Sequence, residues 1–255
     1  MILSGIDQGE GPAVELLHGL FGNARNLGAL ARPLVADGHR VLSLDLRNHG
    51  GSPHADAMDY AVMADDVAET MDARGMATAA VVGHSMGGKV AMRLALARPD
   101  RVERLVVADI APVPNPPHFG PLAAVMATLD PATMTRTEAD RALSSVASDA
   151  SLRAFLLQNA RFGAGGGWRI GLHEIRDALS RIEGWDAPFG ARYTGPTLFI
   201  RGARSDYVPD ADIPAIRAAF PAAEIVTIPD AGHWLHADNP NAVAAAVVAF
   251  LRSSR

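Results

Sequence analysis

Short apolar runs alternate along most of the chain with longer segments whose apolar positions recur at helical spacing. Apolar runs of four to seven residues predict β-strands, and apolar positions three and four residues apart predict amphipathic helices. This alternation is typical of βαβ units that build a mostly parallel sheet with helices on its faces. The predicted strands cover residues 13–17, 40–44, 77–83, 104–108, 197–200 and 224–228, and the predicted helices cover residues 26–37, 60–74, 86–97, 213–219 and 241–252.

The alternation stops after Asp109 and resumes near residue 197. Five prolines between residues 112 and 121 prevent a regular helix or strand there, because proline lacks an N–H and fixes φ. The next segment, from about Leu122 to Trp185, has a helical pattern. The sequence therefore predicts one α/β body that is interrupted by a helical cap, with residues 1–111 and 186–255 in the body and residues 112–185 in the cap.

Composition excludes several classes of protein and site. The 255 residues include no cysteine, which excludes disulfides, thiolate metal sites and a cysteine nucleophile. The net charge is −5 and the basic residues are scattered, so we expect no nucleic-acid partner. No apolar stretch reaches the ~20 residues that span a bilayer, and we expect a cytoplasmic protein without membrane insertion. No nucleotide-binding glycine motif or metal-ligand spacing occurs, so we expect no cofactor and no metal.

The strongest local signal is the string Gly83-His84-Ser85-Met86-Gly87, which fits the pattern G-x-S-x-G. It follows a predicted apolar strand and precedes a predicted helix, which is the context in which this pattern forms a sharp turn that exposes the serine. The alternative is a glycine-rich turn whose serine only caps the helix, and the context disfavours it. We therefore predict that Ser85 is a nucleophile.

A serine hydroxyl needs a base to take its proton, and His233 is the histidine best placed to be that base. His233 lies between the last predicted strand and the last predicted helix. In a parallel sheet this loop lies at the carboxyl edge, the edge that also carries Ser85. His236, three residues further on, is the alternative.

Two aspartates follow predicted strands at the same edge and could orient the histidine. Asp109 follows the strand at 104–108 and Asp206 follows the strand at 197–200, so that both give the chain order Ser, Asp, His. Either carboxylate could accept the second imidazole N–H and stabilise the imidazolium. The residues alone leave both candidates open.

Two backbone N–H groups are candidates to bind the oxyanion of an acyl-transfer intermediate. One belongs to Met86, directly after Ser85, and the other to Leu20, in the glycine-containing loop after the first parallel strand. Further residues could line a substrate pocket, although each of those in the cap could equally pack one helix on another. These substrate-binding candidates are Phe21, His84, Phe119, Leu122, Met126, Phe155, Phe162, Trp168 and Trp234.

The order of these motifs resembles the α/β-hydrolase superfamily over nearly the whole chain. Three strings, at residues 47–50 (Arg-Asn-His-Gly), 83–89 and 108–112, are together similar to the YbfF-like esterases, small serine hydrolases that act on acyl esters and thioesters. The resemblance implies an α/β-hydrolase fold, with a mostly parallel central sheet flanked by helices. It also implies that the helical cap is inserted after strand six.

The resemblance bears on the choice of the acid. Common members of the superfamily carry the aspartate three residues after the glycine that ends the seventh strand, and in this chain that position holds Ser205, with Asp206 one place late. YbfF-like proteins are understood to use the aspartate after strand six, which corresponds to Asp109. The resemblance therefore favours Asp109.

Together these residues predict a serine carboxylic-ester hydrolase, an esterase or thioesterase. We expect it to act on small-molecule acyl esters or thioesters of short to medium chain length, through a Ser-His-Asp triad and an acyl-enzyme. Perhydrolysis, C–C bond hydrolysis and acyl transfer are alternatives, because they depend on the pocket rather than on the triad. A binding protein that kept the fold is disfavoured, since a serine, a histidine and an aspartate are all present.

Overall fold

The computed structural model describes residues 1–253, which form nine β-strands and ten α-helices. The strands are β1 (Gly5–Gln8), β2 (Ala13–Leu17), β3 (Arg40–Leu44), β4 (Ala79–His84), β5 (Val102–Ala108), β6 (Ala160–Arg161), β7 (Gly167–Trp168), β8 (Thr197–Gly202) and β9 (Ala223–Ile228). The helices are α1 (Gly28–Ala36), α2 (Tyr60–Ala73), α3 (Met86–Ala97), α4 (Gly120–Thr128), α5 (Arg136–Leu143), α6 (Ala150–Leu157), α7 (Leu172–Glu183), α8 (Ile213–Ala219), α9 (Leu235–Asp238) and α10 (Pro240–Arg252).

Seven strands form one sheet in the order β1-β3-β2-β4-β5-β8-β9, and every neighbouring pair is parallel except β1 and β3. Successive side chains of β2 point to opposite faces of the sheet, and each face packs against an apolar layer. Val14 and Leu16 pack in the layer that contains α1 and α10, and Leu17 packs in the layer that contains α2 and α3. The predicted α/β-hydrolase fold, with its mostly parallel sheet flanked by helices, is confirmed. Within residues 1–253 no helix has both the length and the apolar character needed to cross a membrane.

The segment between β5 and β8 differs in two ways from the sequence-based prediction. It contains α4 to α7 as expected, but a small antiparallel hairpin of β6 and β7 interrupts the helices. The hairpin turn includes Gly163 at φ 94°, a backbone conformation that glycine adopts more readily than other residues. Five strands precede this segment instead of six, because the short N-terminal region provides only β1 and β2 before α1. The cap boundaries at 112 and 185 stay a prediction.

The C-terminal end of α7 is fixed to the body of the protein by hydrogen bonds to its last carbonyl groups. The hydroxyl of Tyr60 in α2 donates to the carbonyl of Ile182. Lys89 Nζ donates to the carbonyl of Gly184, directly after α7, at 2.6 Å. Lys89 lies in α3 one helical turn after Ser85, and burial lowers the pKa of its ammonium to about 8. The helix that follows Ser85 therefore also holds one end of the inserted segment.

Two buried histidines hold the loop after β2, residues 18–22. The N–H of Leu46 donates to His18 Nε2 at 3.0 Å, and the N–H of Phe21 donates to His49 Nε2 at 3.1 Å. The Nδ1 atom of each ring lies 2.8 Å from a backbone carbonyl oxygen, to which it donates. Burial lowers the pKa of His18 to about 4 and that of His49 to about 3, so both rings are neutral at neutral pH.

Close backbone approaches fix the turn between β4 and α3. A Cβ atom on Gly83 would lie 2.1 Å from the carbonyl oxygen of Gly87, and one on Gly87 would lie 2.2 Å from the carbonyl oxygen of Leu17. Both distances are far below van der Waals contact, and the opposing atoms belong to the backbone. Only glycine fits at these two positions while β4, β2 and α3 keep their present spacing.

Replacing Gly87 with alanine should therefore destabilise the fold by about 1–3 kcal/mol or more, because backbone atoms would have to shift. Gly28→Ala is the matched control, since a Cβ at Gly28 meets nothing within 4 Å in α1. It should be neutral or stabilise the helix by up to about 1 kcal/mol. Urea unfolding followed by circular dichroism measures both effects. Equal stability of the two variants would contradict the close packing at the turn.

The two neutral histidines also predict a loss of stability in acid. As the pH falls below about 6.5, the unfolded chain binds protons at His18 and His49 while the folded protein keeps both rings neutral down to about pH 4 and 3. The free energy of unfolding should then fall by about 1.4 kcal/mol per pH unit for each ring. We expect His49→Gln to be less stable at pH 7 but to lose less stability between pH 6.5 and 5. The exposed His54, changed to Gln, is the control, and identical losses in all three proteins would contradict the prediction.

Candidate active site

Ser85 lies in the sharp turn between the end of β4 and the start of α3. Its backbone has φ 53° and ψ −120°, which is unfavourable for a residue with a side chain. The glycine contacts described above hold the residue in this conformation. The turn projects the hydroxyl from the carboxyl edge of the sheet, as the G-x-S-x-G pattern predicts.

Three side chains from separate parts of the chain form one hydrogen-bonded row at this edge. His233 Nε2 lies 3.0 Å from Ser85 Oγ, and His233 Nδ1 lies 2.8 Å from Asp109 Oδ2. His233 comes from the loop between β9 and α9, and Asp109 directly follows β5. The Asp109 side chain is completely buried, so its carboxylate acts in a region from which water is excluded. The arrangement can move a proton from the serine to the imidazole and stabilise the resulting imidazolium.

The structure brings Asp109, and not Asp206, to the histidine. Asp206 is exposed. Ser205, which occupies the position where the acid lies in common members of the superfamily, donates its hydroxyl to Asp109 Oδ2. The N–H of Gly202 donates to the other carboxylate oxygen at 2.8 Å. The resemblance identified Ser205 only as the position that lacks the acid. The hydroxyl of Ser205 is the sequence signal that could have predicted a hydrogen-bond partner for Asp109.

Tyr207 is a contact of His233 that sequence analysis missed. Its ring stacks on the imidazole with centroids 3.7 Å apart and planes inclined by 19°. Its hydroxyl lies 2.9 Å from His118 Nε2, in the segment that leads into α4. An aromatic residue two positions after Ser205 is too weak a sequence pattern to predict this contact. The stacking restricts the orientation of the ring that joins Ser85 and Asp109.

Two further histidines surround His233. His84 Nε2 donates to the backbone carbonyl of His233 at 2.8 Å, and its ring centroid lies 4.6 Å from that of His236. Burial lowers the pKa of His84 well below its ordinary value and that of His236 to about 4. Both rings are therefore neutral at neutral pH. His236, the alternative base, has no hydrogen bond to Ser85 in the part of the chain that the structure describes.

The two predicted oxyanion donors belong to residues near Ser85. Met86 is the first residue of α3, so its N–H has no partner within the helix. Leu20 follows Gly19, at which a Cβ atom would lie only 3.2 Å from Ser85 Cβ, and the loop therefore runs close to the nucleophile. The Leu20 N–H has no hydrogen-bond partner among residues 1–253. Both N–H groups are thus available to an oxygen bound next to Ser85.

Two pockets meet at Ser85, and they share Leu20 and Phe119. The first, with about 490 Å³ of free space partly open to solvent, includes five of the predicted lining residues: Phe21, His84, Phe119, Phe155 and Trp234. The second has about 320 Å³ and extends between Met86, Ile110 and Ile182. Within residues 1–253, no group of three or more His, Asp or Glu side chains is arranged to hold a metal ion.

Four predicted lining residues line neither of these two pockets, and their role in substrate binding stays a prediction. Leu122 and Met126 of α4 are buried in the apolar core, and Phe162 and Trp168 pack against the same core. The indole N–H of Trp168 donates to the carbonyl of Leu129 at 3.2 Å. For Leu122 and Met126 the physical reason is that α4 is a short helix whose packing on the core uses much of its apolar surface.

Comparison with known proteins agrees with this fold and with the resemblance seen in the sequence. The family described as alpha/beta hydrolase fold matches residues 12–240. The chain is 43% identical to the mouse (Mus musculus) sn-1-specific diacylglycerol lipase ABHD11 over 249 residues, which cover 94% of this chain and 81% of the relative. It is 38% identical to esterase YbfF of Escherichia coli strain K12 over 240 residues, which cover 93% of this chain and 92% of the relative.

A solved structure described as a marine microorganism esterase superposes with a TM-score of 0.92 at 37% identity, covering 98% of this chain and 99% of the other. The predicted similarity to the YbfF-like esterases is confirmed, and so is the expectation of an enzyme of the serine ester hydrolase type. Fold, matched residues and relatives agree along nearly the whole chain. The chain therefore belongs to the alpha/beta hydrolase fold family.

Proposed function

We propose that this protein is a serine carboxylic-ester hydrolase that acts through a triad of Ser85, His233 and Asp109. The observation that carries the proposal is the unbroken row of hydrogen bonds from Ser85 Oγ through the imidazole to the buried carboxylate, at 3.0 and 2.8 Å. This row lies where two pockets meet, so that an ester could reach the serine. The similarity to proteins named as an esterase and a lipase supports ester substrates.

The first half of the reaction forms an acyl-enzyme. Ser85 Oγ attacks the acyl carbon while His233 Nε2 takes the hydroxyl proton. The oxyanion that forms accepts hydrogen bonds from the N–H groups of Met86 and Leu20. The bond to the leaving alcohol or thiol then breaks, and His233 returns the proton to the leaving atom. Asp109 holds the Nδ1–H throughout, which fixes the tautomer and stabilises the imidazolium.

The second half repeats these steps with water as the nucleophile. Water gives a proton to His233 Nε2 and attacks the acyl carbon of the ester on Ser85. The tetrahedral intermediate collapses, the acid is released, and His233 returns the proton to Ser85 Oγ. An alcohol in place of water would give acyl transfer on the same residues.

The two pockets can hold the two parts of an ester, the leaving group and the acyl group. The leaving atom takes its proton from His233, so the leaving group lies on the side of the first pocket, which His233 lines. The second pocket is lined by the oxyanion donor residues Leu20 and Met86 but not by His233, and we assign it to the acyl group. Its limited volume and the apolar side chains of Ile110 and Ile182 favour short to medium acyl chains.

Ser85→Ala should lower kcat for a p-nitrophenyl acyl ester by about 10⁴-fold or more, because only binding and the oxyanion donors would remain. A fluorophosphonate should label the natural protein once, at Ser85, and should not label the variant. Ser180→Ala, at an exposed serine of α7, is the matched control and should keep both activity and labelling. Full activity of the Ser85 variant would overturn the proposed function.

Asp109→Asn should lower kcat by about 10⁴-fold, because an amide cannot hold the imidazole in the required tautomer. Asp206→Asn makes the same change at the exposed neighbour of Ser205 and should have an effect below about threefold. Steady-state kinetics with one ester, at matched circular dichroism spectra, compare the two variants. A large loss in Asp206→Asn with near-normal activity in Asp109→Asn would reverse the assignment of the acid.

A further inference from the structure

An outer groove, which Ser85 does not line, adjoins the first pocket. Five residues line both spaces, which together are called the passage below: Asn26, Leu152, Phe155, Trp234 and His236. The outer groove has about 960 Å³ of free space, including the part that is open to solvent. Because the leaving group is assigned to the first pocket, a leaving group longer than a few atoms would extend along this passage.

His236 is the polar side chain in this passage that the triad does not use. It is only 9% exposed, and its Nδ1 is buried without a hydrogen-bond partner. Neither of its ring nitrogens has a hydrogen-bond partner within the described residues 1–253. A polar ring that lines a binding passage and has no hydrogen-bond partner in the described part of the protein is free to bind a polar atom of a ligand.

The charge of the imidazole decides which ligand atoms it can bind. Burial and the neighbouring His233 lower the pKa of His236 to about 4, so the ring is neutral at neutral pH. A neutral imidazole has one donor and one acceptor nitrogen. Nδ1 is buried, whereas the unpartnered Nε2 keeps some solvent exposure, so Nε2 is the ring nitrogen that a ligand in the passage can reach. An N–H at Nε2 would donate to an oxygen of the leaving group.

The rim of the outer groove is acidic. Asp149 and Asp238 line it, and both are exposed. No lysine or arginine is among the described residues that line the first pocket or the groove. A leaving group with a negative charge would meet two like charges and no opposite charge, which disfavours it.

We propose that His236 is a specificity-determining residue that binds a hydroxyl group of an uncharged leaving alcohol. The inference rests on the proposed esterase function and goes beyond it by naming the chemical class of the alcohol. The hydroxyl lies two carbons from the ester oxygen or further along the passage, with His236 donating to its oxygen. This role differs from that of a base, because His236 has no hydrogen bond to Ser85 within residues 1–253.

The experiment compares three butyrate esters by their kcat/KM values in a pH-stat assay. 2-Hydroxyethyl butyrate and propyl butyrate have the same number of non-hydrogen atoms, and 2-carboxyethyl butyrate adds a negative charge. We expect the natural protein to prefer the hydroxyethyl over the propyl ester by about 3- to 10-fold, mainly through KM, as one added hydrogen bond allows. We expect the carboxyethyl ester to be the poorest of the three.

His236→Leu should lower the ratio of hydroxyethyl to propyl kcat/KM to about one or below. His236→Gln keeps a donor of similar reach and should restore part of the ratio, which separates loss of the hydrogen bond from loss of folding. His173→Leu makes the same change at an exposed histidine that lines neither space, and it should keep the ratio of the natural protein.

An unchanged ratio in His236→Leu, or equal losses on both esters, would overturn the inference, because His236 would then act on His233 or on folding. Preferred hydrolysis of the carboxyethyl ester by the natural protein would also overturn it. These results differ from a failure of the proposed function, in which the natural protein hydrolyses none of the esters and Ser85 is not labelled by a fluorophosphonate.

Discussion

The buried carboxylate of Asp109 is the group on which the arrangement of the site depends. A charge without access to water is costly unless it is paired and hydrogen-bonded. Asp109 accepts from the ring of His233, from the N–H of Gly202 and from the hydroxyl of Ser205. These partners come from the end of β8, the loop after it and the loop after β9. The need to satisfy one carboxylate therefore brings three segments together behind Ser85.

The groups proposed to bind the oxyanion depend on a second set of buried polar contacts. The loop that contains Leu20 is held by His18 and His49, and each ring must stay neutral to accept a backbone N–H. His49 belongs to the Arg-Asn-His-Gly string that carries the family resemblance, so part of that string supports the loop opposite Ser85. Burial keeps these histidines neutral and lowers the stability of the protein in acid, because the same histidines bind protons in the unfolded chain but not in the folded protein.

Sequence patterns predicted the body of the fold better than the inserted segment. β3 at Arg40–Leu44 and α3 at Met86–Ala97 begin and end where their patterns predict. Both elements pack against a large apolar core, so their buried positions recur with the period of a strand or of a helix. The segment before β8 has short elements and glycines, and its hairpin at Gly163 was not predicted. There, loop conformation and packing between short helices decide the structure, and neither leaves a periodic pattern.

The sequence by itself determined the turn that exposes Ser85 and the position of His233 at the same edge, because both follow from the local order of strand, turn and helix. Only the tertiary structure showed that Asp109, and not Asp206, contacts His233, and that Ser205 contacts Asp109. Only it showed that Phe155 lines a pocket beside Ser85 whereas Leu122 is buried in the core. The physical reason is that these facts depend on which side chains meet across β5, β8 and β9. The register of the strands and the paths of the loops determine these side-chain contacts, and a pattern of residues along the chain does not predict them.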